Sequence, residues 1–530
     1  MRVNKRKLYI FAILFALLLF HCLNNYLVLA KSRYCLKSDS SSNFAQTRII
    51  LQSLREVRLD FKSIVYKTCG TIFGGRWSRP PLFFITSSPF FLFSTDKNSL
   101  IVMSNAVYFA ILLFASYGIG NTLYNFKVGV LSAFLVSMFP AVFALSRVFM
   151  VDFALMSMVA LTFYLFALNR FASTKFSLLI GIIIGLGALL KQSYFIFLFP
   201  ITSYFFLSKD NLKNKKIIKN FILAITVGLF VAAFYYARHF YNGYLHYFVF
   251  QNRNVSPFFY LQSLLGRQLL IPFFLLFLFS SAFSFKEKKF FLPAMVLALL
   301  IIMLILPLKQ NRFILPVFPY IAVIISGFIW SFANIRKLLI VSLVLFSLLQ
   351  YFTISFPQII ALKADTSYTD DAGLFSITDE GDWRSPSEEI IKIISEGIEE
   401  MGAKRMARML VISQNSSIIS EIEYLLMNKK LPVESVRIPD DVKVVFEDHY
   451  LEKEKYVSSA QINRSDFVIV DKITQDEWMY GEWIHTFYLL EALRRNIYKF
   501  EFVKTVRFPN KLACDIYTNK ITMHYWWGDY

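Results

Sequence analysis

Cysteine is scarce in this sequence. Its 530 residues hold four, Cys22, Cys35, Cys69 and Cys514. No two have metal-ligand spacing, and His239, His246, His449 and His485 do not supply it either, so no metal and no cofactor is called for. Gly-rich phosphate loops are missing from the C-terminal third, which leaves nucleotide binding there unsupported. The alternation of polar and apolar residues that marks an outer-membrane barrel is not seen in residues 1–357. Charged residues are missing from the middles of the long apolar runs. That counts against a transporter, whose ionisable groups gather near the bilayer midplane.

What is present is apolar. Hydrophobic residues make up 56% of the chain, phenylalanine alone accounts for 58 positions and the mean hydropathy is +0.50, too high for a soluble protein of this length. Many runs are long enough to span a hydrocarbon core of about 30 Å. The fold class expected is a polytopic α-helical membrane protein carrying a C-terminal α/β domain. The net charge of +20 would point to nucleic acid in a soluble protein. Here the lysines and arginines sit in short loops between apolar runs, where they set topology, and no nucleic acid partner is expected.

Reading the basic loops as cytoplasmic gives about eleven crossings. Residues 8–30 form the first, an uncleaved signal anchor behind Arg2, Lys5, Arg6 and Lys7. The loop 31–81 then lies outside, where Cys35 and Cys69 have two readings, a disulfide or two free thiols. Residues 81–93 are apolar but too short to cross, so they read as re-entrant or interfacial. Later spans alternate regularly, with Lys209, Lys213, Lys215, Lys216 and Lys219 among the inner charges. The last span leaves at about residue 357. Domains are therefore expected at 1–357, membrane-embedded, and 358–530, extracytoplasmic. In the second, strands at 409–412, 433–438, 467–470, 500–507 and 512–517 alternate with helices at 416–427 and 483–498, which predicts a partly parallel sheet.

Some charges break the topology rule. Arg79, Arg147, Lys191, Lys309 and Arg312 are basic yet fall at the outer ends of spans, together with the carboxylates of Asp39 and Asp152. Cations there need another reason, such as a bound anion. A carboxylate within reach of a hydroxyl provides acid–base chemistry, and cations offset the charge growing on a phosphate leaving group. Such a face suits group transfer from a membrane-bound phosphate ester.

Four segments resemble a known family. Ser78-Arg79-Pro80-Pro81-Leu82 is similar to the basic-Pro-Pro-Leu motif ending the first outer loop of GT-C glycosyltransferases of the protein-mannosyltransferase and aminoarabinose-transferase type (glycosyltransferase family 39-like). Ser146 to Asp152 resembles their second outer loop, Gly181 to Lys191 their Gly-rich helix ending in lysine, and Lys309 to Pro316 their Arg-Tyr-Leu-Leu-Pro segment, with Phe313 for tyrosine. They occur in the family's order and cover residues 1 to about 330. The resemblance implies an integral membrane glycosyltransferase of a bacterial or archaeal cell membrane. It would take a polyprenyl-phosphate sugar as donor, a hydroxyl of protein, lipid or glycan as acceptor, and membrane lipids as surroundings, and it would invert the anomeric centre. By position Asp39 is the base, although Ser40 stands where the family commonly has a second acid, and Asp60 is the fallback. Arg79, Lys191, Lys309 and Arg312 would hold the donor phosphate, and Asp152 a partner cation or the acceptor.

Plainer readings stand beside these. Asp39 lies in a run of serines and is also a solvated loop residue in character. Asp152 before an apolar run is a good helix N-cap, and Lys191 and Arg312 are placed to snorkel to headgroups. Gly181, Gly185 and Gly187 read first as close helix packing. A transporter, or a non-catalytic membrane scaffold with an outer binding domain, are the rival functions.

Overall fold

The computed structural model describes residues 5–32, 80–94, 96–199, 201–203, 213–239, 258–287, 291–306 and 309–356, with residues 40, 43, 44, 46–48, 50 and 51 of the first loop. Further on it describes 384–400, 407–412, 422, 433–435, 461–471, 484–507 and 513–520. The chain divides into two compact units, one of residues 1–31 and 43–377 and the other of residues 32–42 and 378–530.

The first unit is helical because its apolar runs have no other way to satisfy their backbone in lipid. In order come α1 (Lys5–Ser32), α2 (Lys97–Leu123), α3 (Phe126–Met138), α4 (Pro140–Leu145), α5 (Val151–Asn169), α6 (Thr174–Ala188), α7 (Lys215–His239), α8 (Leu270–Lys286), α9 (Phe291–Ile305), α10 (Phe318–Ser331) and α11 (Arg336–Ser355). Local chemistry sets their starts. Asp96 caps α2 by accepting from the Ser99 amide at 2.9 Å, and Asn125 caps α3 by accepting from Lys127 and Val128.

Among the described residues six helices are long and apolar enough to cross a membrane, and a seventh follows if Phe259–Gln268 and Leu270–Lys286, bent by 117°, count as one span. The expected eleven crossings are not reached on this measure. The physical reason is length: α3 has 13 residues and α6 and α9 have 15 each, or about 20–22 Å at 1.5 Å per residue, short of a hydrocarbon core of about 30 Å. The 81–93 segment is also short, a helix Leu82–Ser87 followed by a 3-10 turn Ser88–Leu92.

Side-chain contacts fix the direction of each helix. Gly120 on α2 meets Gly129 on α3 closely enough that an added Cβ would lie 2.8 Å from the Gly129 Cα, so these two form a tight antiparallel pair. α6 and α7 run parallel: Thr174 bonds to Asn220, Gly181 lies on Ala224, Gly185 on Val231, and the Tyr236 hydroxyl donates to the Ala188 carbonyl. At one end of the bundle the Arg6 guanidinium lies 3.7 Å over the Phe126 ring, and Lys127 and Arg336 lie over Trp330. The start of α5 and the ends of α6 and α11 lie at the other.

The second unit holds a five-stranded sheet: β1 (Ala407–Ile412), β2 (Val433–Ser435), β3 (Phe467–Asp471), β4 (Phe500–Arg507) and β5 (Ala513–Asn519), in the order β2-β1-β3-β5-β4. β1 pairs parallel with β2 and β3, while β5 is antiparallel to β3 and β4, so the sheet is partly parallel as expected. The period-2 pattern sorts its faces. Met409, Phe467 and Ile469 pack with Ile390, Ile394 and Ile398 of α12 (Arg384–Glu400), while Leu410, Ile412 and Val468 pack with Leu489 and Leu493 of α13 (Ile484–Arg495). Of the predicted helix 416–427 only residue 422 is described, and it is helical.

Candidate functional site

Asp152 lies in the first turn of α5 and is buried. It is not the cap expected from its place in the sequence. Met150 occupies the cap position with no side-chain bond, and the Asp152 carboxylate turns aside to two cations. The Lys191 ammonium reaches one of its oxygens at 2.6 Å, and the Arg312 Nε lies 3.6 Å from the other. A negative charge at this helix start is also favoured by the backbone dipole.

Three separate elements bring the trio together. α6 stops at Ala188, and Lys191 follows three residues later. The helix is carried close to its neighbours by its glycines. A Cβ on Gly185 would lie 2.4 Å from the Val231 Cβ, and one on Gly187 would lie 2.2 Å from the Tyr194 ring. The glycines thus serve packing, as the plainer reading had it. Arg312 comes from the 3-10 segment Asn311–Val317, which Pro316 and Pro319 lead into α10. Phe313 sits beneath the cations, with Lys191 Nζ 4.5 Å and the Arg312 guanidinium 5.8 Å from its ring centre.

Snorkelling does not describe either cation. The Arg312 side chain is 7% exposed and the Lys191 side chain 20%, against 5% for Asp152. A buried ion pair is poor value as a stabiliser, because desolvation offsets much of the attraction.

The remaining expected residues divide. Lys309 lies in the described stretch just before Arg312, at the same turn. Asp39, Asp60, Arg79, Cys35 and Cys69 lie outside the described residues. The segment that follows Arg79 is fixed, because the Leu82 amide donates to the Leu189 carbonyl at 2.9 Å, two residues before Lys191. Arg147 departs from the expected cluster. Its Nε donates to Asn25 on α1 at 3.0 Å and its Nη2 to Ser355 on α11 at 2.6 Å, and its guanidinium lies over the rings of Phe143 and Tyr351. It is a buried strut between helices, with 1% exposure.

Several contributors escaped the sequence reading. Asn43 in the first loop donates to the Phe149 carbonyl at 3.0 Å and contacts the Met150 sulfur, which Arg312 also approaches at 3.8 Å. Asn105 on α2 and Asn25 hold the same stretch. For Asn105 the available signal was an asparagine inside an apolar run, where an unsatisfied amide is costly. Among the described residues no group of three histidine, cysteine or acidic side chains could hold a metal.

Comparison with known proteins bears on this arrangement. Residues 78–236, under a third of the chain, match the family described as dolichyl-phosphate-mannose-protein mannosyltransferase. In fold the chain is similar to ArnT from Cupriavidus metallidurans in the apo state, with a TM-score of 0.60 at 11% identity over 97% of this chain and 98% of that one. The chain has the GT-C fold. The same ArnT bound to undecaprenyl phosphate matches with a TM-score of 0.59, at 11% identity, over 94% of this chain and 97% of that one. The Archaeoglobus fulgidus oligosaccharyltransferase in complex with Zn and sulfate, also of GT-C type, matches at 0.52 and 14% identity, over 95% of this chain and 73% of the other. No curated protein matches in sequence. The GT-C match spans both the helical unit and the C-terminal sheet.

Proposed function

We propose that this protein is an integral membrane glycosyltransferase that moves a sugar from a polyprenyl-phosphate donor to an acceptor hydroxyl at the extracytoplasmic face of a bacterial or archaeal cell membrane. The observation that carries this reading is the ion-paired trio at one end of a GT-C bundle, buried Asp152 and Arg312 with half-buried Lys191. The likeness in fold to a protein solved with undecaprenyl phosphate supports the class of donor.

In this reading Lys191 and Arg312, with Lys309 and Arg79, hold the phosphate. The acceptor hydroxyl attacks the anomeric carbon as Asp39 takes its proton. The bond between that carbon and the phosphate oxygen breaks, and the electron pair leaves with polyprenyl phosphate, whose charge the cations stabilise. Attack opposite the leaving group inverts the centre. Chain length is compatible with the role of Asp39. It stands four positions before Asn43, which is bonded beside the trio, and four residue steps reach at most about 14 Å. Asp60 is the alternative base.

The test is mass analysis of polyprenyl-linked sugars in the native membrane with and without the protein, joined to transfer by purified Asp39→Asn protein. A lipid-linked sugar that accumulates without the protein, and transfer lost in the variant while folding is retained, are expected. An unchanged lipid pool, with solute transport by the purified protein in vesicles, would replace this reading with a transporter.

A further inference from the structure

Between α4 and α5 the chain runs without regular structure from Ser146 to Met150, and all five residues are buried. Irregular backbone inside a membrane bundle needs a donor for each carbonyl, since no water supplies one. This stretch leads straight into the turn that carries Asp152. Because Met150 gives α5 no side-chain cap, the start of that helix is set by whatever holds the stretch.

Asn105 holds it most directly. The residue sits within α2, 1% exposed, and spends both hydrogens of its amide here, donating to the Ser146 carbonyl at 2.9 Å and to the Val148 carbonyl at 2.8 Å. Its own Oδ1 has no hydrogen-bond partner, so these two bonds alone orient the amide. Asn25 holds side chains of the stretch, bonding the Ser146 hydroxyl at 2.8 Å and accepting from the Arg147 Nε at 3.0 Å, while Asn43 donates to a single carbonyl, that of Phe149, and contacts the Met150 sulfur. Asn105 bridges two carbonyls two residues apart and so fixes the curvature of the turn itself.

We propose that Asn105 is a positioning residue for Asp152: by setting the path of Ser146 to Met150 it aims the carboxylate between Lys191 and Arg312. The inference rests on the proposed glycosyl transfer for its kinetic consequence, though not for its structural one. Loss of the amide lets α5 begin in a slightly different place, and a shift of about 1 Å in a reacting constellation costs on the order of 100-fold in rate.

The experiment compares full-length protein with Asn105→Leu, which keeps the branched outline and removes both donors, and with the smaller Asn105→Ala. Each is checked for a monodisperse, helical state. In both, kcat for sugar transfer is expected to fall on the order of 100-fold with donor KM changed less than about threefold. In an Asp152→Asn background the same substitutions are expected to add less than about twofold. A readout free of catalysis accompanies these: the carboxylate infrared band that disappears in Asp152→Asn is expected to shift in Asn105→Leu, because its pairing with Lys191 changes. If the wild type neither transfers sugar nor binds undecaprenyl phosphate, the functional reading fails, and the infrared band still decides the role of Asn105. An unmoved band, full kcat in the folded variants, or failure of both variants to fold overturns the inference.

Discussion

Replacing Asp152 by asparagine keeps the shape of the side chain and removes one negative charge from between buried Arg312 and half-buried Lys191. Two effects follow with opposite signs. Stability should fall by about 3 kcal/mol, the usual result of taking one partner from a buried pair and leaving the other charges uncompensated. Affinity for a lipid phosphate should rise. One unit of charge about 6 Å from a phosphate charge is worth about 3 kcal/mol at an effective dielectric of about 20. Lys191 is 20% exposed, and salt screens further, so about 1 kcal/mol per phosphate charge is a safer figure. The sugar-bearing donor is a phosphodiester with one negative charge, and the released polyprenyl phosphate is a monoester with nearly two. The variant should therefore bind the donor roughly fivefold more tightly and the product about thirtyfold more tightly. Transfer would slow as product stays bound. The assay is titration of purified protein with undecaprenyl phosphate by intrinsic fluorescence at low and moderate salt, beside a thermal melt in detergent. Weaker binding of the monoester, together with the stability loss, would refute this reasoning and leave Asp152 a brace for its two neighbours.

Other substitutions separate the parts of the site. Arg312→Gln should weaken undecaprenyl phosphate binding about tenfold to a hundredfold and flatten its salt dependence, as read by the same titration. Gly185→Val, which drives a side chain into Val231, should cost about 1–3 kcal/mol and pull Lys191 out of register, seen as a lower melting temperature with reduced transfer. Asp466→Ala removes the carboxylate that accepts from the Arg408 amide at 2.8 Å and should destabilise the C-terminal unit by about 1–2 kcal/mol, detected as faster proteolysis within that unit. Asp39→Asn should leave undecaprenyl phosphate affinity within about threefold of wild type, because the base acts on the acceptor; a large loss would put Asp39 in the phosphate pocket instead.

Charges at the ends of apolar runs were the most informative signal in the sequence. A cation on the side where the topology rule does not want one needs another reason, and that places Lys191 and Arg312 on one face with Asp152; that both pair with its carboxylate is visible only in the fold. The same logic misled for Arg147. Its position along the chain is that of a site residue, but its side chain points to α1 and α11, and sequence spacing has no access to that direction. The central strands were legible because neighbouring residues of β1 and β3 divide between two apolar cores, one on each face of the sheet. The strand order was not, since insertion of β5 between β3 and β4 depends on pairing between residues far apart in the chain. The asparagines were the hardest to see. An amide side chain has many possible partners, and only the fold reveals that Asn25, Asn43 and Asn105 serve the same five-residue stretch.

The fork of Arg147 has a consequence for biogenesis. Its two grips lie 122 residues earlier and 208 residues later in the chain. Ser355 emerges from the ribosome long after Asp152, Lys191 and Arg312 have been synthesised. The mount of the acid can therefore lock only when the last described span of the helical unit has been inserted, and a chain released early would carry every charged member of the trio without the clasp that finishes the turn beneath it.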